Sequence, residues 1–219
     1  MKKSEVLKIL KKLYPVFETF PEAVDSLKKL ESLVPDLVET KETKNLSWDS
    51  SFPLPDEMNN LTSAYAVFAD GACRGNPGPG AWGVMVQNAK GEVILKSSGV
   101  DLPTTNNKME LEGVIHGLKS LIEKWIEEGI ADRESPVFVY SDSKYVVEGI
   151  SSWVPGWKNR GWKKADGKEP ENILLWKELD HLHSMFNTIK FIWVKGHAGH
   201  PQNEMCDRMC NLALDEAGY

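Results

Sequence analysis

YAVFADGACRGNPGPGAWGVMV, Tyr65 to Val86, is the stretch on which the reading of this chain turns. An apolar, β-prone run ends on a carboxylate, Asp70. Four glycines and two prolines follow by Gly80, and a second apolar run then begins. A buried lone carboxylate is costly unless it is paired or holds a cation, so the question is what stands opposite Asp70. A second run, PVFVYSD, also ends on an aspartate, Asp142. Sites in open α/β sheets are built at strand ends. If the two strands are adjacent and parallel, their carboxylates sit side by side and raise each other's pKa unless a cation lies between them.

Working outward, AWGVMVQ and EVILKSSG read as strands joined by NAKG, a hairpin-type connection, and IKFIWVKG reads as a fifth strand. TNNKMELEGVIHGLKSLIEKWIEEG carries Met109, Leu111, Val114, Leu118, Leu121, Ile122 and Trp125 at a helical period. SKYVVEGISSWV, ILLWKELDHLHSMF and NEMCDRMCNLALDEAG read as further helices, and nothing repeats internally. Three hairpin-linked strands followed by alternating strands and helices predict an α/β fold, a five-stranded mixed sheet flanked by helices.

Residues 1–60 differ from the rest, having no glycine, cysteine or histidine. Val6, Leu7, Leu10 and Leu13, then Val24, Leu27, Leu30 and Val34, recur at helical spacing, with Pro15, Pro21 and Pro35 as punctuation. We divide the chain into a small helical N-terminal extension (1–45), a polar, Pro-containing linker (46–62) and the α/β domain (63–219). The apolar stripes of the extension would suit a small helical core or the docking of a protein partner.

The 219 residues are 41% hydrophobic and 26% charged, as in ordinary globular chains. No apolar run approaches the roughly 18 to 20 residues of a membrane span. Glu5, Lys8, Lys11 and Lys12 interrupt any signal-peptide core at the start. Three cysteines, Cys73, Cys206 and Cys210, cannot build a disulfide framework, so reduced thiols and a cytoplasmic location are expected. A net charge of −6 argues against bulk attraction to nucleic acid. Against that sign, Trp157 to Lys168 (WKNRGWKKADGK) holds five basic residues and one acid. There Trp157 and Trp162 are interleaved with Lys158, Arg160, Lys163 and Lys164, cations for phosphates and faces for sugars or bases. The alternative is a solvated face whose tryptophans turn inward; Trp153 and Trp176 are read as core.

Two further acids, Glu110 and Asp207, sit on helices near the same sheet edge. Four acids from scattered segments are what a hard, oxygen-preferring cation requires. Each also has a bland reading. Glu110 and Asp207 would suit helix N-termini, Asp142 would cap SKYVVEG, and Asp70-Gly71 is a turn dipeptide. CRGNPGPG lacks phosphate-loop spacing and leads into a strand; its glycines permit close backbone approach. His197 and His200, in KGHAGHPQNE, lack the further ligands of a zinc site, and a loop histidine beside a metal suits proton transfer. His116, His181 and His183 read as structural or exposed, and Cys206 and Cys210 as packing residues.

Together, DGACRGNPGPGAWG, TTNNKMEL, YSDSKYVVEGI, GWKNRGWKKADG and VKGHAGHPQNEMCD resemble type 1 ribonuclease H in order and spacing, over about Ala64 to Gly218. The resemblance implies the ribonuclease H-like fold and hydrolysis of the RNA strand of RNA–DNA hybrids, leaving 5′-phosphate and 3′-hydroxyl ends. It implies two Mg²⁺ ions, with Mn²⁺ as substitute, about 4 Å apart and held by Asp70, Glu110, Asp142 and Asp207. His197 matches the family's mobile catalytic histidine, with Glu204 as an outer neighbour. Cys73, Asn76, Thr105, Asn106, Asn107 and Ser143 match positions that touch the hybrid. Trp157, Lys158, Arg160, Trp162, Lys163, Lys164 and Asn172 fall in the family's basic, DNA-gripping region. Two departures stand out: Lys144 lies where bacterial relatives often carry glutamine, and residues 1–60 lack the basic, aromatic character of a hybrid-binding domain. A module that holds hybrid without cleaving it is the rival reading, which loss of any of the four acids would have favoured.

Overall fold

β1 (Tyr65–Cys73) is the central strand of a five-stranded sheet in the computed structural model, ordered β3-β2-β1-β4-β5. β2 (Gly78–Asn88) and β3 (Val93–Thr104) run antiparallel as hairpins. β4 (Val137–Ser141) and β5 (Ile189–Trp193) run parallel to β1. The structure describes Leu7, Leu10, Lys11 and residues 21–33, 52–129 and 134–219. Two compact units are distinguished, Met1–Asn45 and Leu46–Tyr219. In the first, α1 (Pro21–Leu33) buries Leu27 but leaves Leu30 52% exposed, so its apolar stripe is narrower than the spacing suggests.

The central strands are buried on both faces, while β3 and β5 at the edges are only partly covered. On β1, Val67 and Ala69 enter one core while Ala66 and Phe68 enter another, the period-two alternation of a strand between two layers. α2 (Asn106–Glu127) covers the first face, and glycines let it close in. A methyl at Gly117 would lie 2.6 Å from Val67 and Val84, and one at Gly113 would lie 3.1 Å from the Asp70 carbonyl. α6 (Pro201–Glu216) covers part of the other face. Its Cys206 and Cys210 thiols donate to the β1 carbonyls of Phe68 and Asp70, so they are structural thiols.

β4 is followed by α3 (Lys144–Glu148), a π-helical turn (Gly149–Trp153), α4 (Val154–Asn159) and, after a loop, α5 (Ile173–Ser184). Fully buried Trp176 anchors this layer, with Trp157 edge-on at 5.6 Å and Tyr145 tilted at 5.2 Å. Trp153, read as core, is instead 36% exposed. Its ring still packs against Tyr145, Trp157 and Trp176, so Trp153 edges the aromatic cluster while Trp157 lies within it.

Residues 52–61, the end of the segment read as a linker, are packed against the sheet as a strap. Its short 3₁₀ turn, Asp56–Met58, buries Met58 completely against Phe68, Met85 and Tyr140. Burial of such a side chain contributes roughly 2 kcal/mol, one part of the strap's anchorage beside its hydrogen bond from Tyr140 to Glu57.

Candidate active site

β1 does not stop at Asp70 as read from the sequence; it continues to Cys73 along β2, where Asp70 faces Gly83. What stops is its pairing with β4, whose last partners are Phe68 and Tyr140. Asp70 and Asp142 each lie two positions beyond that pair, so their carboxylates leave the same open edge.

Glu110 joins them from α2. The helix begins at its Thr105 cap, whose hydroxyl accepts from the Lys108 N–H. This places Glu110 in the second turn, beyond the reach of the terminal N–H groups, and buries it. Gly71 makes the approach possible: a Cβ there would stand 2.4 Å from the Glu110 nitrogen. Asp142 is not the cap of α3; Ser143 is, its Oγ accepting from Val146 N–H at 3.4 Å. The Trp193 indole N–H donates to the Asp142 carbonyl at 2.9 Å, fixing the backbone that carries the carboxylate.

One ligand oxygen from each of Asp70, Glu110 and Asp142 lies within 4.8 Å of the others. Burial, then the charges of Asp142 and Asp207, pushes Asp70 up to about 8, against the Gly71 N–H that donates to its Oδ1 at 2.9 Å. Burial, then Asp70 and Asp142, also raises Glu110 well above the usual carboxylate range. Its Oε1 accepts from Asn106 at 3.3 Å, while Oε2 is buried with no hydrogen-bond partner. Three converging carboxylates, one with an unsatisfied buried oxygen, fit a hard divalent cation, which would replace the mutual repulsion with attraction. Asp207, in the seventh position of α6, lies outside this group of three yet near enough to raise Asp70. Its Oδ1 accepts from Asn211 at 3.0 Å.

The loop after β5 runs over Asp142. A Cβ on Gly196 would lie 2.4 Å from Asp142 Oδ2, so glycine lets the backbone pass the carboxylate. His197 follows, exposed and in the left-handed region at φ 51°. Glu204, from the first turn of α6, accepts from the Gly199 N–H at 3.2 Å and ties the loop's far end.

The remaining sequence-selected residues fall into two groups. Cys73, Asn76, Thr105, Asn106 and Asn107 form a rim where the β1–β2 turn meets the start of α2. There Asn76 Oδ1 accepts from the Asn106 N–H at 3.4 Å, and the Cys73 thiol donates to the Thr104 carbonyl at 3.6 Å. Along the α4–α5 connection, Lys163 is exposed, Lys158 pairs with Asp180 at 2.9 Å, and Lys164 lies 3.9 Å from Glu171. Arg160 donates to the Lys163 carbonyl, and Trp162 is half-buried beneath the Lys177 ammonium, 5.6 Å away. Trp157 is buried in the core and has no free face to offer a base. The Asn172 carboxamide is engaged with Tyr145.

Residue-type reasoning passed over Gly71, Gly196 and Trp193. Gly71 and Gly196 act by lacking a side chain, which only a neighbouring backbone or carboxylate reveals. Lys144, noticed as a departure, places its ammonium 5.1 Å from the Trp193 ring beside Asp142.

The protein-family model for RNase H matches residues 62–215. The ribonuclease H of Erythrobacter litoralis is 46% identical over 149 residues, covering 68% of this chain and 94% of its own. That of an Enterobacter species is 44% identical over 164 residues, covering 73% and 97%. Among solved structures, LC9-RNase H1, a type 1 RNase H with the type 2 active-site motif, is 33% identical with a TM-score of 0.58, covering 71% of this chain and 74% of that one. LC11-RNase H1 in complex with RNA/DNA hybrid is 26% identical with a TM-score of 0.55, covering 71% and 99%. With its fold, its carboxylate triad and these relatives in agreement, the chain belongs to the ribonuclease H family, type 1.

Proposed function

We propose that the protein is an endoribonuclease that hydrolyses the RNA strand of RNA–DNA hybrids, leaving 5′-phosphate and 3′-hydroxyl ends. The carrying observation is the buried triad of Asp70, Glu110 and Asp142 with its unpartnered Glu110 oxygen. These three, with Asp207 alongside, would hold two Mg²⁺ ions, or Mn²⁺ in their place. When bound, such ions supply Lewis acidity toward the attacking water and the leaving 3′ oxygen.

The chain's own groups do the rest. Trp193 holds the Asp142 backbone, and Asn106 orients one oxygen of Glu110. His197 is exposed on a loop that passes Asp142, which supports a role in moving a proton during cleavage. The rim of Asn76, Asn106 and Asn107 offers amide donors and acceptors to 2′-hydroxyls, the groups that distinguish RNA from DNA. Lys163 and Lys164 address the DNA strand's phosphates. Trp157 supports that segment from within the core, and the three unbridged thiols suit a reducing cytoplasm.

The decisive assay presents labelled RNA–DNA hybrid, RNA duplex and DNA duplex to the full chain in Mg²⁺ and in EDTA. Cutting confined to the hybrid's RNA strand, leaving 5′-phosphates and ceasing in EDTA, is expected. Cutting that survives EDTA, or equal cutting of DNA duplex, would refute the proposal. Charge reversal at Lys163 and Lys164 together is expected to weaken hybrid binding about tenfold or more at low salt and flatten its salt dependence. Turnover at saturating hybrid should stay near wild type; an unchanged salt slope would exclude this segment from the interface.

A further inference from the structure

The catalytic loop has a neighbour outside the family's common domain. The RNase H match begins at residue 62, but the strap, residues 52–61, is built into the same compact unit as the site. Two buried glutamines bolt it down. Gln202 Nε2 donates to the Pro53 carbonyl at 2.6 Å and to Gln87 Oε1 at 3.3 Å. Gln87 Nε2 donates to the Phe52 carbonyl at 3.1 Å and to the Gly91 carbonyl at 3.0 Å. At the strap's other end the Tyr140 hydroxyl donates to Glu57 at 2.7 Å. The strap therefore joins the end of β4, just before Asp142, to the start of α6, just after the His197 loop.

Gln202 is the second residue of α6, and His200, immediately before the helix, makes no side-chain capping bond. Gln202 ties the helix's first turn to the strap and to Gln87 through its amide N–H groups, while Glu204 of the same turn accepts from the Gly199 N–H. A cavity of about 410 Å³ separates the strap from Trp193, Lys195 and His200. The strap's tie to this region therefore runs through the start of α6. His197, in the left-handed region, keeps a conformation that non-glycine residues hold only when their surroundings impose it.

We infer that the strap, Gln87 and Gln202 form a positioning clamp for the His197 loop, with Gln202 and Gln87 as positioning residues for the cleavage step. This rests on His197 serving the reaction; the two glutamines lie within the family match, and the strap they hold lies before it. Two buried amides whose hydrogen bonds interlock define one geometry for the loop's anchor.

The test is a double-mutant cycle on the full chain, measuring kcat and KM on hybrid with Mg²⁺ for Gln202→Met, Gln87→Met, His197→Ala and the combinations. Gln202→Met is expected to lower kcat about fivefold with KM unchanged, because small misplacements of a catalytic group carry large rate penalties. Gln87→Met should act in the same direction. Neither should lower kcat further once His197 is alanine, whereas a merely structural defect would be felt equally in both backgrounds. Thermal midpoints accompany every variant, and Gln87→Met carries the test should Gln202→Met fold poorly. Equal loss in both backgrounds, or unchanged kcat in the folded glutamine variants, would overturn the clamp alone. A silent His197→Ala would overturn the catalytic reading of His197 and the clamp with it.

Discussion

Asp70→Asn is expected to lower cleavage roughly 10³-fold or more while making the cation-free protein more heat-stable. The first effect follows from removing a carboxylate from the group that would hold the cations. The second follows from the electrostatics of the same group. Burial with Asp142 and Asp207 raises Asp70 to about 8, far above its unfolded value of 3.8. Between those values the folded state keeps a proton that the unfolded chain releases. Asp70's contribution is therefore fully present below about pH 4 and is lost as pH rises toward about 8, at up to roughly 1.4 kcal/mol per pH unit. Asparagine, neutral throughout, has no such slope. In chelator, the wild-type melting temperature should fall from pH 5 to pH 8, and that of Asp70→Asn should fall much less. At pH 8 the variant should melt several degrees higher, since about 1 kcal/mol moves the midpoint of a chain this size by about 2–4 °C. Adding Mg²⁺ should raise the wild-type midpoint most at high pH and leave the variant nearly unmoved. Identical pH slopes in chelator would show that Asp70 is not held in a repulsive cluster.

Gly71→Ala is expected to damage fold and site together. The added methyl would lie 2.4 Å from the Glu110 nitrogen and 2.6 Å from the Met109 carbonyl carbon, both backbone atoms that cannot swing aside. α2 must then shift from β1, which opens the packing around Met109 and withdraws Glu110 from Asp70. Overpacking at a buried contact of this kind costs about 3 kcal/mol, a drop in melting temperature of about 6–12 °C. Cleavage should fall further than stability does, and Mn²⁺ titration of the folded variant should show weakened binding. Wild-type stability with wild-type metal binding would mean that the helix has slack at this crossing.

The two predictions differ in how far their residues were legible. Asp70 and Asp142 drew attention by their position at the ends of two apolar runs, although a turn and a helix cap would each explain one of them. Glu110 and Asp207 did not stand out alone; either would pass for a favourable acid near a helix start. Gly71 entered only as the second half of a possible turn dipeptide. The strand continues through it, and its value lies in the helix that crosses there. Trp176 is core as read, but Trp157 is buried where Trp153 is partly exposed, because the packing of the helices, and not residue type, sets which ring lies within the cluster. Residues 52–61, polar and proline-rich, carried the composition of a linker, yet one methionine and two distant glutamines fasten them to the sheet.

The sequence by itself determined the alternation of strands and helices, the two aspartates that close apolar runs, the motifs of type 1 ribonuclease H and the basic run set against an acidic chain. Each of these is written in local order, period or residue chemistry. Only the tertiary structure decided which acids converge, that Asp207 stands apart from the group of three, that Trp157 is core, and that Gln202 ties the strap to the start of α6. Those are distances between segments far apart in the chain, set by glycine-permitted close approach and by buried hydrogen bonds, and residue order alone does not encode them.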